Sequence, residues 1–381
     1  MQKSKVYFTD MRTHGGASLL DKLKKLVREA GIESLPLKNS FVAIKIHFGE
    51  PGNLSFLRPN FAKAVADVIK ECDGKPFLTD CNTLYSGRRK NALDHIDAAY
   101  ENGFTPYSTG CHVIIADGLT GKDEVWIPVE GGELVTEAKI GRAVMDADIF
   151  VSLNHFKGHE AAGFGGAMKN IGMGCGSRAG KMEQHNGGKC AVRDAKCVGC
   201  KKCAAECAHG AISFEGGKAS ICTDKCVGCG RCIHACRIEA IYQPSGSANT
   251  DLCKKIAEYS KAVLHGRPHF HINIVNQVSP YCDCHGENDT PIIPDVGMFA
   301  SFDPVALDMA CADACNAQPV LANSVLGDNL MAKGAHTHHG IIEHDGDCFT
   351  HTFPTTDWRV TLEHAEKLGI GTREYELITV K

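Results

Sequence analysis

Apolar positions along this chain fall into two alternating kinds of segment. Short runs such as "SFVAIKIHFG" (40–49) and "ADIFVSLNHF" (147–156) are apolar nearly throughout, as strands buried on both faces must be. Between such runs lie amphipathic stretches. Leu19, Leu20, Leu23, Leu26 and Val27 share one face of a helix that Ser18 is placed to cap, and further helices are predicted at about 59–71 and 89–102. "KVYFTD", "KPFLTDCN" and "HVIIADG" add strands. In the second half, a helix near 251–264, the strand "HFHINIVNQ", a helix from about Asp303 to Cys315 and a terminal strand "REYELITV" continue the alternation. Asp303, just ahead of Pro304, reads as a helix N-cap. This alternation predicts an α/β fold: a largely parallel sheet with helices on both faces. Functional groups in such sheets gather beyond the carboxyl ends of strands. That rule selects His47-Phe48-Gly49-Glu50, Asp80-Cys81-Asn82, Asn154-His155 and Ser279 to Cys284.

The pattern breaks once. Residues 187–243 are cysteine-rich, and "KCVGCKKCAAECAHGAI" is echoed 29 residues later by "KCVGCGRCIHACRIEAI". The expected organisation is a discontinuous α/β domain, 1–186 and 244–381, interrupted by a small α+β module at 187–243. Each copy fits C-x2-C-x2-C-x3-C: Cys197, Cys200, Cys203 and Cys207, then Cys226, Cys229, Cys232 and Cys236. Three cysteines at this spacing wrap one cubane, and in bacterial two-cluster ferredoxins the fourth ligates the other. The expected sets are Cys197, Cys200, Cys203 with Cys236, and Cys226, Cys229, Cys232 with Cys207. The segment resembles the bacterial two-[4Fe–4S] ferredoxin module. It departs from it at Ala208 and Arg237, where proline is usual, a change that alters the turn but removes no ligand. The alternative metal is zinc, which needs only two C-x-x-C pairs. Cys190 and Cys222 lie outside both patterns and read as ordinary thiols.

Bulk properties narrow the classes. A length of 381 residues suits two or three folding units, and 43% hydrophobic with 23% charged residues suffices for a sizeable core. The net charge of −4, with no Lys/Arg block, argues against a nucleic-acid partner. The N-terminus shows no apolar signal region, and no stretch approaches a membrane span. Of 20 cysteines, the eight at cluster spacing need a reducing compartment, so a cytoplasmic protein of an anaerobe or low-oxygen niche is expected.

The segment 154–185 holds the remaining chemistry. It fails the P-loop pattern, because Lys169 is preceded by Met168 and followed by Asn170, and it fails G-x-G-x-x-G, because Met168 stands at the third glycine. Gly163, Gly165 and Gly166 still permit close backbone approach to a ligand. Lys169 fits a cation for an anionic ligand, a structural ion pair or a covalent anchor. His159, Lys169 and His185 are the candidate catalytic residues. Gly163, Gly165, Gly166, Lys169 and Cys175 are candidates for holding a cofactor, organic or metal.

"NHFKGHEAAGFGGAMKNIGMGC", "YCDC" and "FASFDPVALD" resemble the family called domain of unknown function 362, whose members are described as Fe–S centre proteins. That resemblance implies cluster binding. A more distant one, over "HEAAGFGGAMK" and His185, is to lactate racemase and its relatives, which carry a nickel pincer nucleotide tethered to lysine. It implies acid/base chemistry at His159, an anchor at Lys169 and a metal ligand at His185. One extra residue separates glycines from lysine, and "DCNTLYSGRR", where that family has a second catalytic histidine, contains none.

Other candidates are fewer. Cys282-Asp283-Cys284-His285 could hold a metal, line the same rim, or be an adventitious thiol pair. His336, His338, His339, His344, Cys348 and His351 match no closed metal spacing and read as a solvated or substrate-facing loop. Lys45, His47 and Glu50 suit acid/base, anion-binding or structural roles. Three functions are consistent with this inventory. The first is an oxidoreductase whose two [4Fe–4S] clusters exchange electrons with a pocket on the α/β domain, acting with a redox partner protein or a small-molecule substrate. The second is a non-catalytic electron carrier or docking protein. The third is a racemase-like enzyme with a lysine-anchored metal or organic cofactor.

Overall fold

The computed structural model describes all residues except 1–2, 85–86, 186–188, 208, 227, 229–230, 237, 239, 243–247 and 345; of Arg231 and His234 it describes the backbone. Cys229 and the turn positions Ala208 and Arg237 lie outside the described residues, as do the expected module boundaries.

Among the described residues, eight strands form the central sheet: β1 (Ser4–Asp10), β2 (Phe41–Lys45), β3 (Lys75–Asp80), β4 (Val113–Ile115), β5 (Ile149–His155), β6 (His269–Val275), β7 (Gly297–Ser301) and β8 (Tyr375–Thr379). Their order is β8-β1-β7-β6-β5-β2-β3-β4. Only β7 runs antiparallel to its neighbours; β6, β5, β2, β3 and β4 pair parallel in succession. The sheet is α/β and largely parallel, as the apolar runs predict.

Six helices matter for the site: α1 (Leu19–Glu29), α2 (Pro59–Glu71), α3 (Ala167–Cys175), α4 (Arg178–His185), α5 (Ala248–Leu264) and α6 (Pro304–Asn316). Ser18 caps α1 in a capping box with Asp21. Asp303 caps α6, accepting from the Val305 and Ala306 amides. The two faces of the sheet carry separate cores. Ile149, Val151 and Leu153 of β5 pack with α1 and α2, whereas Phe150 between them packs with α3, α5 and α6. A strand's two-residue period sends alternate side chains to opposite faces, and burying both faces makes the run continuously apolar.

The cysteine-rich segment has a third core, built from Cys190, Cys203, Ala219, Cys232 and Ile241. Its two repeats have matching parts. Strand Ala191–Val192, helix Lys202–Glu206 and strand Ile212–Glu215 correspond to strand Lys218–Ile221, helix Arg231–His234 and strand Ile241–Tyr242. The outer strand of each repeat pairs with the opposite strand of the other. Among the described residues no helix is long and apolar enough to cross a membrane.

Candidate functional site

Beyond the carboxyl ends of β6, β5, β2 and β3 lies an open cavity of about 880 Å³, its solvent-filled mouth included. β2 and the turn after it supply Lys45 and His47, and β3 supplies Asp80 and Cys81. Leu153 and His155 come from β5, and Lys157, His159 and Gly165 from the hairpin that follows it. α3 contributes Lys169, Asn170, Met173 and Gly174; α4 contributes Lys181 and His185. Leu252 and Ile256 of α5, with Cys282 and Cys284 of the loop after β6, close the wall. His185 and Leu252 are the described cavity residues nearest in sequence to the two ends of the cysteine-rich segment.

Local packing explains the glycines and also removes a phosphate role. The α3 N-terminus, the natural anion site of a helix, is already taken: Asp308 accepts from the Ala167 amide (2.7 Å) and the Met168 amide (2.9 Å), and from Asn273 (2.8 Å). Burial of that carboxylate lifts its pKa to about 6, against those hydrogen bonds. A side chain at Gly166 would collide with Asp308, so the glycine makes room for the cap. At Gly163 (φ +80°) a β-carbon would run into Trp358. Gly163 is thus a structural turn of the hairpin and, contrary to expectation, does not line the cavity. Gly165 and Gly166 do.

His159 has a defined orientation. Its Nδ1 accepts from the Ala161 and Ala162 amides, both at 3.1 Å, which leaves Nε2 to carry the proton. The Lys169 ammonium donates to Cys282 Sγ at 3.5 Å, and His159 and Cys284 line the same wall. The hydrogen bond from Cys284, joined by Lys169, His159 and Lys157, outweighs burial and holds the Cys282 thiol well below its ordinary range. Burial would lower Lys169, but Cys282, Cys284 and Glu160 keep it above its usual value. The Lys169 ammonium thus faces the Cys282 sulfur across the cavity wall. Burial, with Lys169 and His159 nearby, pushes His185 down to about 3.

On the opposite wall Lys45, fully buried, pairs with Asp80 (3.0 Å) and donates to Asn170 (2.6 Å). Arg89 pairs with Glu50 (2.8 Å) and lies 3.0 Å from His47 Nε2. Enclosure, then the Arg89 charge, drives the His47 pKa well below normal. Lys181 donates to the carbonyls of Gly174 (3.2 Å) and Gly176 (2.6 Å) at the end of α3. Among the described residues the wall presents Lys45, Arg89, Lys157, Lys169 and Lys181 against one carboxylate, Asp80, over a floor of Leu57, Leu84, Leu153, Met173, Leu252 and Ile256. Such a surface suits an anion with an apolar body.

The fold brings His159, Lys169 and His185 together, as the sequence suggested, and leaves Cys175 out. That thiol is buried behind the wall, where its carbonyl accepts from Cys81 Sγ (3.3 Å) and burial raises its pKa to about 11. A cavity histidine also comes from His47, beyond β2, rather than from the 81–90 region. Arg89, Lys157 and Lys181 were not anticipated: single basic residues in loops and short helices carry no sequence pattern. Of the other candidates, Asp283 sits behind the wall against His155 (2.9 Å), while His336, His338 and His339 are exposed.

A second cavity, of about 310 Å³, lies within the cysteine-rich segment and is lined by Cys197, Cys200, Cys203 and Cys236. These are three cysteines of one repeat with the last of the other. Gly199 and Gly228, preceding the second cysteine of each copy, take φ of +67° and +71°, a conformation glycine reaches without strain. Backbone amides point at the sulfurs: Ala219 N–H to Cys197 (3.4 Å), Ala211 N–H to Cys207 (3.4 Å) and, at the repeat-related position, Ala240 N–H to Cys236 (3.2 Å). Among the described residues no three His, Cys, Asp or Glu side chains converge as the ligands of a single ion. Cubane ligands need not meet at a point, since they stand around a body of several atoms. The lining and the amide donors fit such a group.

Among known proteins, a thylakoid-associated protein of Synechocystis sp. (strain ATCC 27184 / PCC 6803 / Kazusa) is 26% identical over 131 residues, 33% of this chain and 35% of that protein. The match thus spans about a third of the relative's length. The lactate racemase apoprotein of Thermoanaerobacterium thermosaccharolyticum is similar at 11% identity and a TM-score of 0.36, over 72% of this chain and 51% of that one. A protein from Thermotoga maritima is similar at 13% identity and a TM-score of 0.36, over 78% and 57%. Residues 42–313, well over half of the sequence, match the family described as domain of unknown function (DUF362), and the chain belongs to that family.

Proposed function

We propose that this chain is an iron–sulfur oxidoreductase: two [4Fe–4S] clusters in the cysteine-rich segment exchange electrons with a small anionic organic substrate in the α/β cavity. The observation that carries the reading is that Cys197, Cys200, Cys203 and Cys236, drawn from two sequence repeats, line one cavity. Cys226, Cys232 and Cys207, with Cys229 outside the described residues, are the repeat-related set. Bound clusters would supply one-electron transfer. The chain's own residues hold the sulfurs by amide hydrogen bonds and, in the α/β cavity, bind the anion through Lys157 and Lys181 over an apolar floor. His159 can pass its Nε2 proton to a group beside Cys282. Cysteines in this role require a reducing compartment, which supports a cytoplasmic site of action.

Anaerobic purification tests this directly. Iron content of ~8 per chain with a reduced [4Fe–4S] EPR signal is expected, and absence of iron would sink the reading. After reduction and removal of reductant, a panel of small carboxylates and organic phosphates should include one that reoxidises the protein, with Lys181→Met raising the concentration needed.

A second, racemase-like reading is favoured by the convergence of His159, Lys169 and His185 on one cavity with His47. Lys169 would hold the organic group and His185 face its metal. Nickel analysis and the intact mass of protein from its native host decide it: unmodified Lys169 and no nickel exclude this alternative.

A further inference from the structure

Cys282 and Cys284 both line the cavity, in a loop held firmly from two sides. Gly158 N–H donates to the Ser279 carbonyl (2.8 Å), Glu50 N–H to the Asp283 carbonyl (2.9 Å), and His285 N–H to the Cys282 carbonyl (3.2 Å), closing a turn around the pair. Asp283, between the two cysteines, is fully buried against His155 (2.9 Å) and Lys157 (3.7 Å). Its neighbours in sequence are thereby left facing the cavity.

The two sulfurs have unlike surroundings. Cys282 has the Lys169 ammonium at 3.5 Å, and Cys284 shares the cavity wall with it. The hydrogen bond to Cys282, with burial, raises Cys284 well above the ordinary thiol range while Cys282 is lowered. A thiolate beside a protonated thiol is the arrangement that thiol–disulfide exchange uses: one sulfur attacks, the other resolves. A disulfide closed across one intervening residue is strained, and strained disulfides are the labile ones.

We propose that Cys282 and Cys284 are a redox-active dithiol that reduces a small, negatively charged disulfide bound in the cavity. This names a substrate class for the cavity and rests on the reading of that cavity as a reaction site. The Cys282 sulfur attacks one sulfur of R–S–S–R′, breaking that bond, forming the mixed disulfide Cys282–S–S–R and expelling R′–S⁻. The Cys284 proton passes to R′–S⁻. The Cys284 sulfur then attacks Cys282, forming the intramolecular disulfide and expelling R–S⁻. The protein pair loses two electrons and the substrate gains them; an external dithiol reverses the exchange and restores the reduced pair. Lys169 is the counter-ion of the attacking sulfur, and Lys157 and Lys181 face the anionic ends of the substrate.

The test uses the full chain, handled anaerobically, with oxidised glutathione as the anionic disulfide and peptide mass spectrometry as readout. Brief iodoacetamide pulses at about pH 6 should label Cys282 ahead of Cys72, a partly exposed thiol whose pKa is raised. Oxidised glutathione should then remove two hydrogens from the peptide carrying residues 282 and 284, and dithiothreitol should restore them. Cys284→Ser should stop at the glutathione adduct on Cys282, and Lys169→Met should slow labelling about threefold for each pKa unit regained, because the smaller thiolate fraction is partly offset by a more nucleophilic sulfur. If Cys282 labels no faster than Cys72, or if the wild-type peptide never loses two hydrogens, the proposal is overturned; neither readout needs a variant. Iron content separates this from the cluster reading. A cycling dithiol without iron removes the clusters and leaves the dithiol, and iron without a cycling dithiol does the reverse.

Discussion

Cysteine serves opposite ends in the two halves of this molecule. In the α/β body, burial makes most thiols inert: Cys111, Cys175 and Cys253 are raised to about 11 and Cys348 to about 12, with Cys81, Cys311 and Cys315 well above normal. These sulfurs act as small hydrophobes. Cys282, equally buried, goes the other way, because Cys284, Lys169 and His159 surround it with donors. In the cysteine-rich segment the cysteines join the core themselves: Cys190, Cys203 and Cys232 pack with Ala219 and Ile241. This core is small, with Val192, Ile212, Phe214, Ile221 and Ile233 only partly buried around it, and a metal group that tied its sulfurs together would contribute folding free energy directly. The contrast teaches that burial alone does not set thiol chemistry; the donors and charges around each sulfur do.

The sharpest way to break this comparison is Cys203→Ser. On the two-cluster proposal it should remove about half of ~8 iron atoms per chain, measured by iron analysis, and lower the protease resistance of residues 190–241. The thermal transition of the α/β body should stay within a few degrees, since its two cores share no residue with the third. A body that unfolds together with the segment would show that the two are one cooperative unit. Next in size is Lys45→Met. Removing a fully buried cation 3.0 Å from Asp80 leaves that carboxylate to the more distant Arg89, at 3.9 Å, and should cost about 3 kcal/mol by urea titration. The iron content of this variant should be unchanged.

The smallest effect is a slope. Burial holds His95, fully enclosed beneath Asp80, neutral with a pKa of about 3, below the 6.5 of an unfolded histidine. A lowered folded pKa means the unfolded chain binds the extra proton. Its stabilising contribution is complete above pH 6.5 and is lost as pH falls from there toward about 3, at up to ~1.4 kcal/mol per pH unit. His95→Gln should flatten the pH dependence of urea midpoints across that window. An unchanged slope would place the acid sensitivity elsewhere.

Much of the fold was legible because its signals are local. The apolar run at 149–155, the capping serine at 18 and the Asp303-Pro304 pair each announce an element within a few residues. The antiparallel entry of β7 was not, because strand direction depends on where the chain returns and not on side-chain period. At the site, His159, Lys169 and His185, grouped in one stretch of sequence, line one cavity. Gly163 shows why a glycine is ambiguous in sequence: it makes room for whatever approaches it, and here Trp358 approaches rather than a ligand.

By itself the sequence determined the alternation of strands and helices, the repeat, and the regular spacing of its cysteines, since each is a relation between residues close along the chain. Only the tertiary structure decided that Asp308 occupies the helix end a phosphate could have used. Likewise it decided that His47, Arg89 and Lys181 face the same space, and that Cys282 meets Lys169 across 113 residues of chain. Those contacts are set by how the parallel strands stack side by side, and a stacking order leaves no trace in any short stretch of residues.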